Sequence, residues 1–213
     1  MEKEQIAKIL LSIKAVTLNL KEPYRYTSGI LSPIYTDNRI IMSYPDKREQ
    51  IVDAFIGLIE ENQLKFDLIA GVATAGIPHA AFIAQKLKKP MIYIRDKSKS
   101  HGKQNQIEGR LEKGQKVLVV EDLISTGGSS FSAVEAVRGA GGIVEDCIAV
   151  FTYELPKSIK TFSEGKCNLF TLTGFSTLIE TAEKEEYISE EEKQKALEWN
   201  SDSQNWGKNM GYE

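Results

Sequence analysis

Between residues 67 and 151, short wholly apolar runs alternate with segments of helical periodicity. DLIAGV (67–72), PMIYIR (90–95), KVLVVED (116–122) and IVEDCIAVF (143–151) read as buried strands, and CNLFTLT (167–173) as a further one. IPHAAFIAQKL (77–87) and SSFSAVEAVRGAGG (129–142) read as helices, the second closed by glycine. Apolar strands separated by helices pair in parallel, with helices covering both faces of the sheet. The fold class expected is therefore α/β, a mostly parallel twisted sheet flanked by helices.

Elsewhere the pattern is more local. Ile6, Ile9, Leu10 and Ile13 sit at helical spacing, so residues 3–18 read as an amphipathic helix. EPYRYTSGILSPIYTDNR (22–39) mixes Pro, Gly, Ser and aromatics and reads as turns with a short extended piece at 33–36. Pro45 suits the first turn of a helix to about Asn62, with Ile51, Val52, Phe55 and Ile59 on one face. Ser189 and Glu192 form a capping-box pattern opening a terminal helix, and Trp199 and Trp206 are candidate anchors for the tail.

Composition excludes several classes. The chain has 213 residues, 41% hydrophobic and 27% charged, enough to bury a core without staples. Cys147 and Cys167 lie in strand-like runs and read as buried reduced thiols. The start, MEKEQIAKILLSIK, is charged and periodic, unlike a signal peptide, and no apolar run reaches the roughly 18 residues that span a bilayer. A cytoplasmic protein with no membrane partner is expected. Net charge is −3, so no nucleic-acid footprint is expected either. One segment is densely basic: RDKSKSHGKQNQIEGR (95–110), with Arg95, Lys97, Lys99, His101, Lys103 and Arg110. A long basic loop in an acidic chain suits a small anionic ligand and a lid.

The chemistry concentrates at VLVVEDLISTGGSS (117–130). Glu121 and Asp122 are expected at the carboxyl end of a buried strand, where open α/β sheets bind ligands. Ser125, Thr126, Gly127, Gly128 and Ser129 lead into a helix whose first N–H groups lack internal partners, a phosphate cradle. Two carboxylates beside a phosphate suit sugar hydroxyls or a divalent metal carried by the ligand. The ligand inferred is a phosphorylated ribose with Mg²⁺. A plainer reading has the hydroxyls capping the helix and the acids solvated. There is no G-x-x-x-x-G-K-[ST] and no G-x-G-x-x-G, so a P-loop triphosphatase or a dinucleotide dehydrogenase is unsupported.

This motif resembles the phosphoribosyl-diphosphate signature of the type I phosphoribosyltransferases. TSGILSPIYTDNR (27–39), GVATAGIPHA (71–80) and RDKSKSHGKQNQIEG (95–109) further resemble orotate phosphoribosyltransferases in order and spacing, over residues 5 to 180. The resemblance implies one domain over 1–213, with a hood over 1–40, an α/β core over 65–175 and a helical tail over 180–213. It implies transfer of a 5-phosphoribosyl group from 5-phosphoribosyl 1-diphosphate to orotate, with Mg²⁺ carried mainly by substrate, in a homodimer whose lid reaches the neighbouring site. Arg95, Lys99, His101, Glu121, Asp122, Leu123, Ile124 and Ser125 through Ser129 would bind the diphosphate donor. Lys99, His101 and Asp122 would be catalytic, Ser125 would also contact orotate, and Ala73 and Thr74 would form the pyrophosphate turn, with a non-proline cis peptide.

The sequence departs from many relatives at Ala75, Asp96 and Thr27, each a basic position elsewhere; Lys97, Lys103 or Arg39 would compensate. His79 is expected to be structural or capping. Three alternatives stand beside the main reading: a purine-base phosphoribosyltransferase, a non-catalytic regulator of this fold, and a diphosphoribose-making kinase relative.

Overall fold

The computed structural model describes residues 1–26, 28–95 and 106–212. In chain order the elements are α1 (Lys3–Ser12), β1 (Val16–Leu18), β2 (Tyr24–Arg25), β3 (Leu31–Ser32), β4 (Ile34–Thr36), a 3₁₀ turn (Asn38–Ser43) and α2 (Pro45–Glu61). There follow β5 (Leu68–Val72), α3 (Gly76–Leu87), β6 (Met91–Ile94), β7 (Ile107–Glu108), β8 (Val117–Ile124) and α4 (Gly128–Gly139). The chain ends with β9 (Asp146–Thr152), α5 (Pro156–Glu164), β10 (Asn168–Gly174), α6 (Phe175–Lys184), α7 (Glu190–Ser201) and α8 (Trp206–Asn209).

The central sheet runs in the order β10-β9-β8-β5-β6-β7. All its pairings are parallel except β6 with β7. β5 is buried at every position, and β8 at its first five, as strands covered on both faces must be. One apolar cluster joins α1, α2, α3, α6 and α7 to one face, and a second joins α4 and α5 to the other. The mixed α/β architecture expected from the sequence is the one observed.

Several boundaries differ from the sequence reading. The helix expected over 3–18 ends at Ser12, because Lys14 takes a left-handed backbone (φ 58°) and Val16–Leu18 pair with Ile34–Thr36 instead. The strand expected to close at Asp122 runs on to Ile124, held on one side only: β9 pairs with Leu123 and Ile124, whereas pairing to β5 stops at Val120. β9 opens at Asp146, later than expected, with Ile143 making an isolated bridge to Lys116. β7, α5 and α6 were not anticipated. The capping box at Ser189 and Glu192 is present, and Trp199 and Trp206 are buried. Cys147 and Cys167 are buried free thiols, and burial holds Cys167 up at about 11. Among the described residues, no helix is long and apolar enough to cross a membrane.

His79 is buried within α3, edge-on to Phe55, with neither ring nitrogen hydrogen-bonded. It caps nothing, since no side chain caps α3. Burial lowers its pKa from 6.5 to about 4. Between pH 6.5 and 4 the unfolded chain binds a proton that the folded chain refuses, so stability falls with falling pH across that window by up to about 1.4 kcal/mol per pH unit. Urea unfolding midpoints of the wild type and His79→Leu at pH 7 and pH 4.5 test this. The variant should lose visibly less stability between the two, and equal losses would remove His79 as an acid-sensitive group.

Candidate active site

The site lies where β5, β8 and β9 deliver their carboxyl ends. Pairing to β5 stops at Val120, so Glu121 and Asp122 stand in a split of the sheet, as ligand crevices of open α/β folds do. Glu121 is 6% exposed. One carboxylate oxygen accepts from Ser130 Oγ (3.1 Å) and the other from the Asp122 N–H (3.1 Å). Burial raises both carboxyls above their ordinary values, and the Asp122 charge adds to the push on Glu121. Neighbouring backbone N–H groups and the positive charge of Arg39 partly offset the rise at Asp122. Glu121 is thus engaged with α4 through Ser130, whereas among the described residues no side chain outside the pair donates a hydrogen bond to the Asp122 carboxylate.

The loop after β8 reaches α4 through Gly127, whose φ of +79° requires glycine, with Phe162 packed 3.2 Å from where a Cβ would stand. No side chain caps α4. The Ser130 hydroxyl serves Glu121 instead, so helix capping does not account for the hydroxyl-rich turn. The first amides of α4 are left to an outside acceptor. α3 also starts without a side-chain cap, directly after the Ala73–Thr74 peptide, which is cis. A cavity of about 290 Å³ lies among Val72, Ile94, Arg95, Gln106, Gly128 and Ser129. Arg95 pairs with Glu108 on β7 (3.3 Å).

Opposite these strand ends sit the N-terminal strands. Asn38, fully buried, donates from Nδ2 to the Asp122 carbonyl (2.8 Å). Arg39 is held by both oxygens of Asp37 (2.6 and 2.9 Å), and its positive charge favours ionised Asp122.

A phosphoribosyl transferase domain model matches residues 44–163, more than half of the chain, including the strand ends and the loop into α4 that form this crevice. An orotate phosphoribosyltransferase of Coxiella burnetii is 63% identical over 95% of this chain and 97% of its own length. The chain belongs to the orotate phosphoribosyltransferases. Among solved structures of that family, the Aeropyrum pernix protein overlays with TM-score 0.74 at 28% identity, covering 86% of this chain and 99% of that one. A UMP synthase from Leishmania donovani overlays with TM-score 0.78 at 25% identity, covering 93% of this chain but only 42% of that protein.

As an orotate phosphoribosyltransferase, the chain gathers its sequence-read residues unevenly. Ala73 and Thr74, Arg95, and the run from Glu121 to Ser129 all fall at the carboxyl edge of the sheet. Lys99 and His101 lie outside the described residues, as do Thr27, Asp96, Lys97 and Lys103. Sequence reasoning missed Asn38, Gln106, Ser130 and Ser132. Ser132 lines the cavity with Ser129, a pair three residues apart on one helical face that spacing alone could have found. Gln106 exchanges hydrogen bonds with the Arg95 backbone (2.9 and 3.2 Å), a contact hidden once β7 is read as loop.

Proposed function

We propose that this chain transfers the 5-phosphoribosyl group of 5-phosphoribosyl 1-diphosphate to orotate, giving orotidine 5′-monophosphate and pyrophosphate on the route to UMP. The observation that carries the reading is the Glu121–Asp122 pair beside an uncapped α4 at the sheet's split edge. Asp122, with Glu121 behind it, accepts from the ribose hydroxyls. Residues Leu123 to Ser129 hold the 5′-phosphate, and Ser125 also meets orotate. The Ala73–Thr74 turn and Arg95 receive the pyrophosphate, joined by Lys99 and His101 from the lid.

In the reaction the bond from C1′ to the pyrophosphate oxygen breaks with its electron pair leaving on pyrophosphate, and a bond from the orotate ring nitrogen to C1′ forms as that nitrogen's proton passes to the departing pyrophosphate or to water. Negative charge grows on the leaving group, so cationic donors and uncapped helix amides placed there stabilise the transition state more than the ground state. The ribose turns cationic, and Asp122 is the nearby charge of opposite sign. Orotate brings its own nucleophilic nitrogen, so no protein nucleophile is required. Excluding water by lid closure prevents hydrolysis of the activated sugar.

Among the described residues no three of His, Cys, Asp and Glu cluster as a metal site. A two-carboxylate edge does suit a Mg²⁺ ion held mainly by substrate oxygens and water. When bound, that ion would share the pyrophosphate charge, with Asp122 the protein group able to touch it. We further propose a cytoplasmic homodimer in which each lid serves the neighbouring subunit's site, the whole chain forming one catalytic domain.

The test is the loss of orotate absorbance on mixing protein, Mg²⁺, 5-phosphoribosyl 1-diphosphate and orotate. Rapid loss is expected. Turnover of adenine or guanine in place of orotate would overturn the substrate, and no turnover with any base would bring the regulator reading forward. Arg39 bears on how anionic substrates are neutralised despite Ala75. Arg39→Ala should raise a Michaelis constant about fivefold, the scale of one charge-assisted hydrogen bond. Unchanged constants for both substrates would reject Arg39 as a compensating residue.

A further inference from the structure

The tail beyond residue 185 has no role in the reaction above. Its contacts are specific. On α7, two consecutive side chains reach two different bodies. Trp199 Nε1 donates to the Leu31 carbonyl of β3 (3.1 Å), and Asn200 Nδ2 donates to the Tyr153 carbonyl just past β9 (2.5 Å). The Trp199 ring stands edge-on to Tyr153, with centroids 5.5 Å apart.

The third side of this triangle is polar too. The Tyr26 and Tyr153 hydroxyls are 3.2 Å apart, and Ser32 Oγ donates to Tyr26 Oη (3.0 Å). Burial raises the pKa of both phenols, so the chain of hydroxyls stays uncharged. The Tyr153 N–H donates to the carbonyl of Ile124, the residue before Ser125 (2.9 Å). The β2–β3 hairpin is thereby fixed against the same loop that Ser125 opens. Further along, Gly207 lies so close to Leu31 that a Cβ there would stand 2.9 Å from Leu31 Cδ1, and the Tyr212 hydroxyl donates to the Leu20 carbonyl. The tail thus touches β3 and the segment that leads into β2.

A helix that only filled core space would need its indole rings and nothing more. Here the polar atoms are spent on backbone carbonyls of the hairpin and of the strand end it faces. We propose that α7 sets the hairpin's position over the base end of the site, with Trp199 and Asn200 as positioning residues for orotate that act through Leu31 and Tyr153 and do not touch substrate. This inference rests on the orotate reaction proposed above. Small displacements of a binding element weaken the substrate it orients, while the phosphate-facing amides at the start of α4, which packs on the opposite face of the sheet from α7, keep their geometry.

The experiment is steady-state kinetics of Trp199→Phe and Asn200→Ala, varying orotate and 5-phosphoribosyl 1-diphosphate separately, with thermal melts in parallel. Trp199→Phe keeps an aromatic ring and removes the N–H; Asn200 is half-buried, so its variant folds even if the first does not. The Michaelis constant for orotate should rise about tenfold, with kcat and the constant for the diphosphate within about twofold. A lower melting temperature with both constants unchanged, or both constants rising together, would reduce α7 to a structural prop. A wild type that turns over no orotate would defeat the reaction itself, and this inference with it. A wild type that does, with unmoved variants, would defeat this inference alone.

Discussion

Asp122→Asn is expected to lower kcat/KM by about 10²–10³-fold, the usual loss when one preorganised electrostatic contact to a transition state is removed. Shape is kept, and the 2.8 Å bond from Asn38 goes to the Asp122 backbone carbonyl, which the substitution leaves in place. The stability sign is opposite to the activity sign. Burial raises the Asp122 carboxyl above its ordinary value of 3.8, so the folded state prefers the protonated acid. Its contribution to stability is therefore whole at low pH and is lost as pH rises through the folded value. Asn resembles the protonated acid at every pH. The variant should melt no lower than the wild type at pH 7, with the difference shrinking toward pH 4. An inactive enzyme that is also strongly destabilised at pH 7 would point to a structural role for Asp122.

The layers of the fold were legible because strand and helix periods differ, β5 is buried end to end and β8 is buried over its first five residues. Long apolar runs with helices between them admit few other packings. What was hidden has local causes. Val16–Leu18 continue the apolar rhythm of α1, and only the left-handed Lys14 and the pairing to β4 turn them into strand. β7 is two residues long and owes its form to β6. α6 follows β10 with no break, so nothing in the composition separates them.

The candidate site was legible where its residues form one contiguous run at the carboxyl edge of the sheet, Glu121 to Ser129. It was illegible where it is assembled from distant segments. Asn38 meets Asp122 across 84 residues of sequence, and Trp199 meets Leu31 across 168. The two acids also looked alike in sequence. Their surroundings divide only in three dimensions, where Glu121 accepts from Ser130 of α4 and Asp122 lies beside Asn38 and Arg39.

Gly76→Ala should cost about 3 kcal/mol of stability or more, at the upper end of what one added methyl does in a packed interior. A Cβ at Gly76 would stand 2.5 Å from the Val120 carbonyl oxygen and 3.1 Å from Glu121 Cα, both backbone atoms of β8. β8 is held by β5 on one side and β9 on the other, so it cannot retreat. The start of α3 must lift instead, and the Ala73–Thr74 turn lifts with it. Activity should fall by about 10²-fold beyond the loss of folded protein, as misplacement near 1 Å does at a reacting centre. Gly57 supplies the contrast. It lies within α2 with nothing within 4 Å of its added Cβ, so Gly57→Ala should stabilise by about 0.5–1 kcal/mol through helix propensity alone. Denaturant midpoints of the two variants should move in opposite directions. If Gly76→Ala unfolds no earlier than the wild type, the contact between α3 and β8 is looser than its geometry, and the Ala73–Thr74 turn does not depend on it.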